Sequence, residues 1–102
     1  MILHFVALNL VDDCDLSVLK RTMEGLSALV GQIDGFSSFE HGANLDFERK
    51  SQDYPYGFLC RFSCADALER YANDPRHNEL GATLVSMCKG GADGIVVFDL
   101  EV

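Results

Sequence analysis

From Ile2 to Leu10 the chain is apolar at every position except His4 and Asn9. A short, nearly unbroken run of this kind predicts a strand covered on both faces. Alternation puts His4, Val6 and Leu8 on one face and Leu3, Phe5 and Ala7 on the other. Asp12-Asp13-Cys14-Asp15 then supplies N-cap oxygens and first-turn negative charge. Leu16, Leu19, Met23, Leu26 and Val30 follow at helical spacing, and Gly31 stands where a C′ glycine would end the helix. Gly35 breaks the chain before a second strand, Phe36 to Asn44, which lacks clean alternation. The polar stretch from Leu45 to Pro55 predicts an exposed loop.

Tyr56 to Phe62 predicts a third strand, with Phe58, Cys60 and Phe62 on one face and Leu59 and Arg61 on the other. Ser63, with Asp66 three residues on, resembles a short capping box. Leu68, Tyr71 and Ala72 form the inner stripe of the helix it opens. Asp74-Pro75 restarts helical structure, aspartate at the N-cap and proline at N1. His77, Leu80, Leu84, Met87 and Cys88 continue at helical spacing to Gly90-Gly91, and Ile95 to Leu100 predicts a last strand, apolar on both faces.

The order is β-α-β-β-α-β with the second helix broken, the split βαβ pattern of a ferredoxin-like α+β domain. It implies a four-stranded antiparallel sheet with helices on one face, and one domain over residues 1–102. The other sheet face then carries Leu3, Phe5, Leu59, Val96 and Phe98. An apolar face that large is not left in water by a monomer. Two sheets packed face to face cover it, so a homodimer is expected.

Charge narrows the partners. The 102 residues carry 16 acidic and 8 basic side chains, a formal net charge of −8, and the basic ones form no stripe. Such a field repels phosphate backbones and anionic lipid, which excludes nucleic acid and membrane surfaces. No apolar run approaches the ~20 residues of a membrane span. The opening Met1-Ile2-Leu3-His4-Phe5 has neither a basic segment nor a cleavage site, so a cytoplasmic setting is expected.

Little metal or cofactor chemistry is written in the chain. Cys14, Cys60, Cys64 and Cys88 form no C-x-x-C pair, and in a cytoplasmic protein they are expected to be free thiols. The acidic run at Asp12 lacks the glycine and terminal glutamate of an EF-hand loop. Gly90-Gly91-Ala92-Asp93-Gly94 follows a helix and precedes a strand, the wrong order for a dinucleotide fingerprint. No cofactor and no metal are expected.

Several residues together carry a family likeness. These are His4 in the first strand, Phe39-Glu40-His41-Gly42-Ala43-Asn44 in the second, Tyr71 followed by Asp74-Pro75-Arg76-His77, and the ending Gly94-Ile95-Val96-Val97-Phe98-Asp99-Leu100. On these the chain resembles the stress-responsive α/β barrel (Dabb) family of dimeric α+β barrel proteins, over nearly its whole length. The resemblance implies the same fold and a dimer. Function in that family is mixed: stress-associated plant oligomers, members without assigned activity, and a polyketide cyclase. In the cyclase a tyrosine and a histidine act as acid/base partners within a Tyr-x-x-His-Pro-x-His segment. They correspond to Tyr71 and His77, Asp74 replaces the segment's first histidine, and a histidine like His4 also lies at the pocket. A related dimeric fold hosts cofactor-independent monooxygenases.

Physical chemistry adds to the resemblance at His77. A first-turn position sets the imidazole at the positive end of a helix dipole, which disfavours its charged form. A neutral imidazole accepts a proton, and Tyr71 across the Asp74-Pro75 corner can turn to the same pocket. The plainer account makes Tyr71, His77 and His4 partly buried packing residues, and on sequence alone it carries more weight. Any ligand pocket is expected between sheet and helices, with those three at its polar end and Val6, Phe58, Cys60 and Val97 as apolar walls. The expected function is a dimer that binds a small, partly apolar molecule. A lyase or cyclase working through Tyr71 and His77 is the alternative, and an oxygenase the weaker one.

Overall fold

The computed structural model describes all residues, 1–102. The chain runs β1 (Ile2–Leu8), α1 (Leu16–Ser27), β2 (Phe36–Ala43), β3 (Tyr56–Phe62), α2 (Ala65–Asn73), α3 (Pro75–Met87), a 3₁₀ turn (Gly91–Gly94) and β4 (Ile95–Glu101). The strands form one antiparallel sheet in the order β2-β3-β1-β4. This is the ferredoxin-like α+β architecture expected from the element order.

The helices cover one sheet face. Leu19, Met23 and Leu26 of α1, Ala67 and Tyr71 of α2, and Leu84 and Met87 of α3 are buried there. They join Ile2, Val6 and Leu8 of β1 and Phe58, Cys60 and Phe62 of β3 in a single core. The opposite face has no cover. Phe5 pairs across the ladders with Leu59 on one side and Phe98 on the other, and Phe5 is 41% and Phe98 57% exposed.

Several local expectations need correction. Asp15 caps α1, accepting from the N–H groups of Ser17 and Val18. The helix nevertheless ends at Ser27, so Val30 lies outside it and Gly31, at φ +79°, serves a later turn. Leu16, the first residue of α1, is exposed, and the buried stripe of the helix begins at Leu19. Cys64, not Ser63, is the N-cap of α2. The Ser63 N–H is instead tied to the Gly35 carbonyl at 2.9 Å. Gly35 has φ +86°, and a Cβ there would fall 2.5 Å from the Cβ of Ala67, so only glycine lets α2 start this close to β2. Ala67 takes the inner position expected of Ala72, which is exposed.

The uneven pattern of the second strand also has a cause. A bulge between Phe36 and Ser38 shifts the β2–β3 register and flips the face of everything before it. β4 differs more from the expected strand, apolar and covered on both faces: it is an edge strand, and most of it is exposed. No helix is long and apolar enough to cross a membrane.

Candidate functional site

His4, Tyr71 and His77 come together at one end of the core. Asp74 creates this meeting. Its backbone is extended, which stops α2, and its N–H bonds the Tyr71 carbonyl at 3.1 Å. Its carboxylate then accepts the Arg76 N–H at 2.8 Å and caps α3, with Pro75 in the first turn. The corner sets the last turn of α2 against the first turn of α3. The rings of Tyr71 and His77 consequently lie 4.1 Å apart, centroid to centroid, and His4 presents its edge to Tyr71 at 5.8 Å. Arg76 also grips Asp74 through two side-chain bonds, of 2.8 and 3.0 Å. Those bonds hold the Asp74 carboxyl down, to a pKa of about 2.

Register supplies a fourth member that the chain pattern did not single out. His4 stands between Cys60 on β3 and Asp99 on β4. His4 Nδ1 and Asp99 Oδ1 are 2.5 Å apart, the imidazole N–H donating. A carboxylate at Nδ1 fixes both the ring's orientation and its tautomer, leaving Nε2 as the free nitrogen. The signal for Asp99 was alternation along β4, which puts it on the His4 face with Val97.

Tyr71 is fully buried, and its phenol has a single hydrogen-bond partner, the Cys60 thiol at 3.9 Å. Burial raises the pKa of the phenol, and it pushes the Cys60 thiol up to about 12. Both therefore stay protonated at neutral pH. His77 is half-buried and shifts the other way. Desolvation lowers its pKa, and the nearby charge of His4 acts in the same direction, while its 3.3 Å contact with Asn78 opposes them. The direction matches the helix-dipole expectation, but the main cause is burial. The cluster thus sets a neutral imidazole beside an undissociated phenol.

The sign of the His77 shift predicts a pH effect on stability. In the unfolded chain a histidine takes up a proton near 6.5, whereas folded His77 resists it until a lower pH. Within that interval the unfolded state binds more protons, so stability falls as pH drops through 6.5 toward the lowered value. Above 6.5 the imidazole is neutral in both states and contributes nothing. A series of urea midpoints should show this acid-side decline, and His77→Gln should flatten it. An equal decline in the variant would assign the proton to another group.

The expected apolar walls divide. Val6, Phe58 and Cys60 are buried in the core behind the cluster. Val97 pairs with Val6 and so shares the helix face, but it is 47% exposed because no helix reaches the edge strand. The two main concavities lie elsewhere. One, of about 600 Å³, is on the helix-free face and is lined by Phe5, Leu59, Val96, Phe98, Leu45 and Tyr54 among others. The other, of about 720 Å³, is a polar hollow around Asp34, Arg70, Asp74 and Arg76. His41 meets Tyr56 at 2.5 Å across β2 and β3, apart from the His4 cluster. The four thiols are free, and no three His, Cys, Asp or Glu side chains gather as a metal site.

Comparison with known proteins agrees with this architecture. A structure from Jannaschia sp. CCS1, described as a dimeric ferredoxin-like protein of unknown function, is 44% identical with a TM-score of 0.94, over 99% of this chain and 98% of that one. An Arabidopsis thaliana protein shares the fold at 20% identity and a TM-score of 0.85, over 100% and 95% of the two chains. A hydroxynitrile lyase from Passiflora edulis shares it at 12% identity and 0.82, over 99% and 92%. No match is found among curated proteins. The model of the stress responsive A/B barrel domain matches residues 2–102. With the sheet order and the whole-length match in agreement, the chain belongs to the stress-responsive A/B barrel domain family.

Proposed function

We propose that the protein is a cytoplasmic homodimer that binds a small, partly apolar molecule bearing a carbonyl or hydroxyl group at the His4–Tyr71–His77 end of the core. One observation carries this reading: a fully buried phenol whose oxygen only accepts a 3.9 Å bond from the Cys60 thiol, so that its own O–H is not spent on that contact. Buried tyrosine hydroxyls ordinarily find a strong partner, and one held in reserve beside two imidazoles suits a ligand oxygen. Half-buried His77 is the route by which such a group reaches it. Asp99 holds His4 in place, so the polar end is preorganised. The uncovered sheet face, and the dimeric description of the 44% identical relative, support the homodimer.

A lyase or cyclase reading has its own support. A neutral imidazole 4.1 Å from an undissociated phenol is a base paired with an acid. His77 would remove a proton next to a carbonyl while Tyr71 donates a hydrogen bond to its oxygen.

The test uses the fact that the chain has only 3 histidines. Small aromatic ketones, phenols and acids are screened by thermal shift, and hits are followed by the imidazole NMR signals. A hit should move the His4 and His77 signals and bind more weakly to Tyr71→Phe. Hits that leave both signals in place and bind the variant unchanged would put the site elsewhere. If a hit is converted, His77→Ala should slow turnover by ~100- to 10,000-fold. Binding without conversion leaves the first reading standing alone.

A further inference from the structure

The 44–55 loop between β2 and β3 holds the two most exposed large apolar side chains of the molecule, Leu45 at 89% and Phe47 at 94%. Its backbone is nonetheless tightly built. The Asn44 amide donates to the Ser51 hydroxyl and to the Tyr54 carbonyl, each at 2.8 Å, and its oxygen accepts the Asp46 N–H at 2.9 Å. Asp46 Oδ1 in turn accepts from the Lys50 N–H, the Ser51 N–H and the Ser51 hydroxyl, at 2.8–3.0 Å. Asp46 and Arg49 take left-handed backbone angles, φ 45° and 57°, to close this knot. The polar side chains thus turn inward and hold the loop, while Leu45 and Phe47 are turned to water. A rigid loop that displays two large apolar groups is preorganised for contact.

The same chain offers a matching surface. From near the loop end of the sheet to its middle, Val96 and Phe98 on the β4 edge form an apolar strip with no cover, and they border the same 600 Å³ concavity as Leu45. A two-fold axis parallel to the strands lays the β2 edge of one sheet over the β4 edge of the other, with both loop ends on the same side. An axis across the strands puts β2 over β2 at opposite ends and leaves the loop no apolar target. Only the first arrangement is self-complementary for these residues.

We infer that Leu45 and Phe47 of each subunit clasp the Val96–Phe98 strip of a second copy of this chain. The inference rests on the homodimer proposed above and specifies what locks it. Phe47 contributes its ring to the partner's concavity, which is open in one chain and closed in the pair.

The chain has no tryptophan, so Phe47→Trp gives a single clean reporter. Sedimentation of the wild-type chain and of a Leu45→Ser/Phe47→Ser variant accompanies the fluorescence. Both side chains stand in water in the single chain, so the double variant should fold normally. The expected result is a dimer that weakens by about 30-fold or more in that variant. The indole emission of Phe47→Trp should be blue-shifted at high concentration and move to the water-exposed position on dilution. A dimer of unchanged affinity, with emission water-exposed at every concentration, would overturn the clasp and leave the homodimer standing. A wild-type chain that sediments as a monomer at every concentration would overturn both.

Discussion

Phe5→Asp should yield a folded chain that sediments as a monomer at concentrations where the wild type is a dimer. Phe5 sits in the middle of the helix-free sheet face, between Leu59 and Phe98 on the neighbouring strands. In the single chain its ring is 41% exposed and lies outside the core cluster, so a carboxylate there remains hydrated and the fold survives. In the proposed dimer the same carboxylate is sealed between two sheets, and two-fold symmetry puts a second one nearby. Burying an unpaired charge costs several kcal/mol. Counting two per dimer, association should weaken on the order of a thousandfold or more. Circular dichroism and sedimentation together decide the matter. A Phe5→Asp chain that remains dimeric would mean that the copies meet through some other surface.

Tyr71→Ala should be among the most damaging changes in the core, with a loss of about 3–5 kcal/mol in urea unfolding. The ring is fully buried and packs against Phe36 and Phe62 as well as the two histidines. Its removal leaves a cavity that α2 cannot collapse to fill, because the Gly35 contact already sets the helix at its closest approach. Tyr71→Phe keeps the ring and loses only the hydroxyl with its weak thiol contact, so the fold should change by no more than about 1 kcal/mol. The comparison separates structure from function. A phenol kept for packing alone would let Tyr71→Phe bind every ligand as the wild type does. A phenol that holds a ligand oxygen would make the same variant stable but weak in binding. A Tyr71→Phe chain as unstable as Tyr71→Ala would show that the hydroxyl itself anchors the core.

The meeting of Tyr71 with His77 was legible in the chain because it is local. Six residues separate them, and Asp74-Pro75 dictates both where one helix ends and where the next begins. His4 belongs to the same group through alternation, since a helix-facing residue of a central strand must meet the helices. Alternation gives the face of Asp99 but not its partner, because the link to His4 spans 95 positions and exists only through the β1–β4 register. Val97 shows a second limit. Alternation names its face correctly, but whether a helix reaches that far depends on sheet order, and β4 lies at the edge. The 44–55 loop looked merely polar, because composition counts charges and cannot tell that hydrogen bonds will turn the polar groups inward and the apolar ones out.

Element order, the break at Asp74, the apolar helix-free face and the family likeness were all properties of the sequence. Each depends on periodicity or on residues close along the chain, where the covalent backbone limits the possible geometries. The Asp99–His4 pair, the completeness of Tyr71 burial, the desolvation that is the main cause of the lowered His77, and the poised loop were decided by tertiary structure. They depend on which strands become neighbours and on how much water the packing excludes, quantities that no single segment carries.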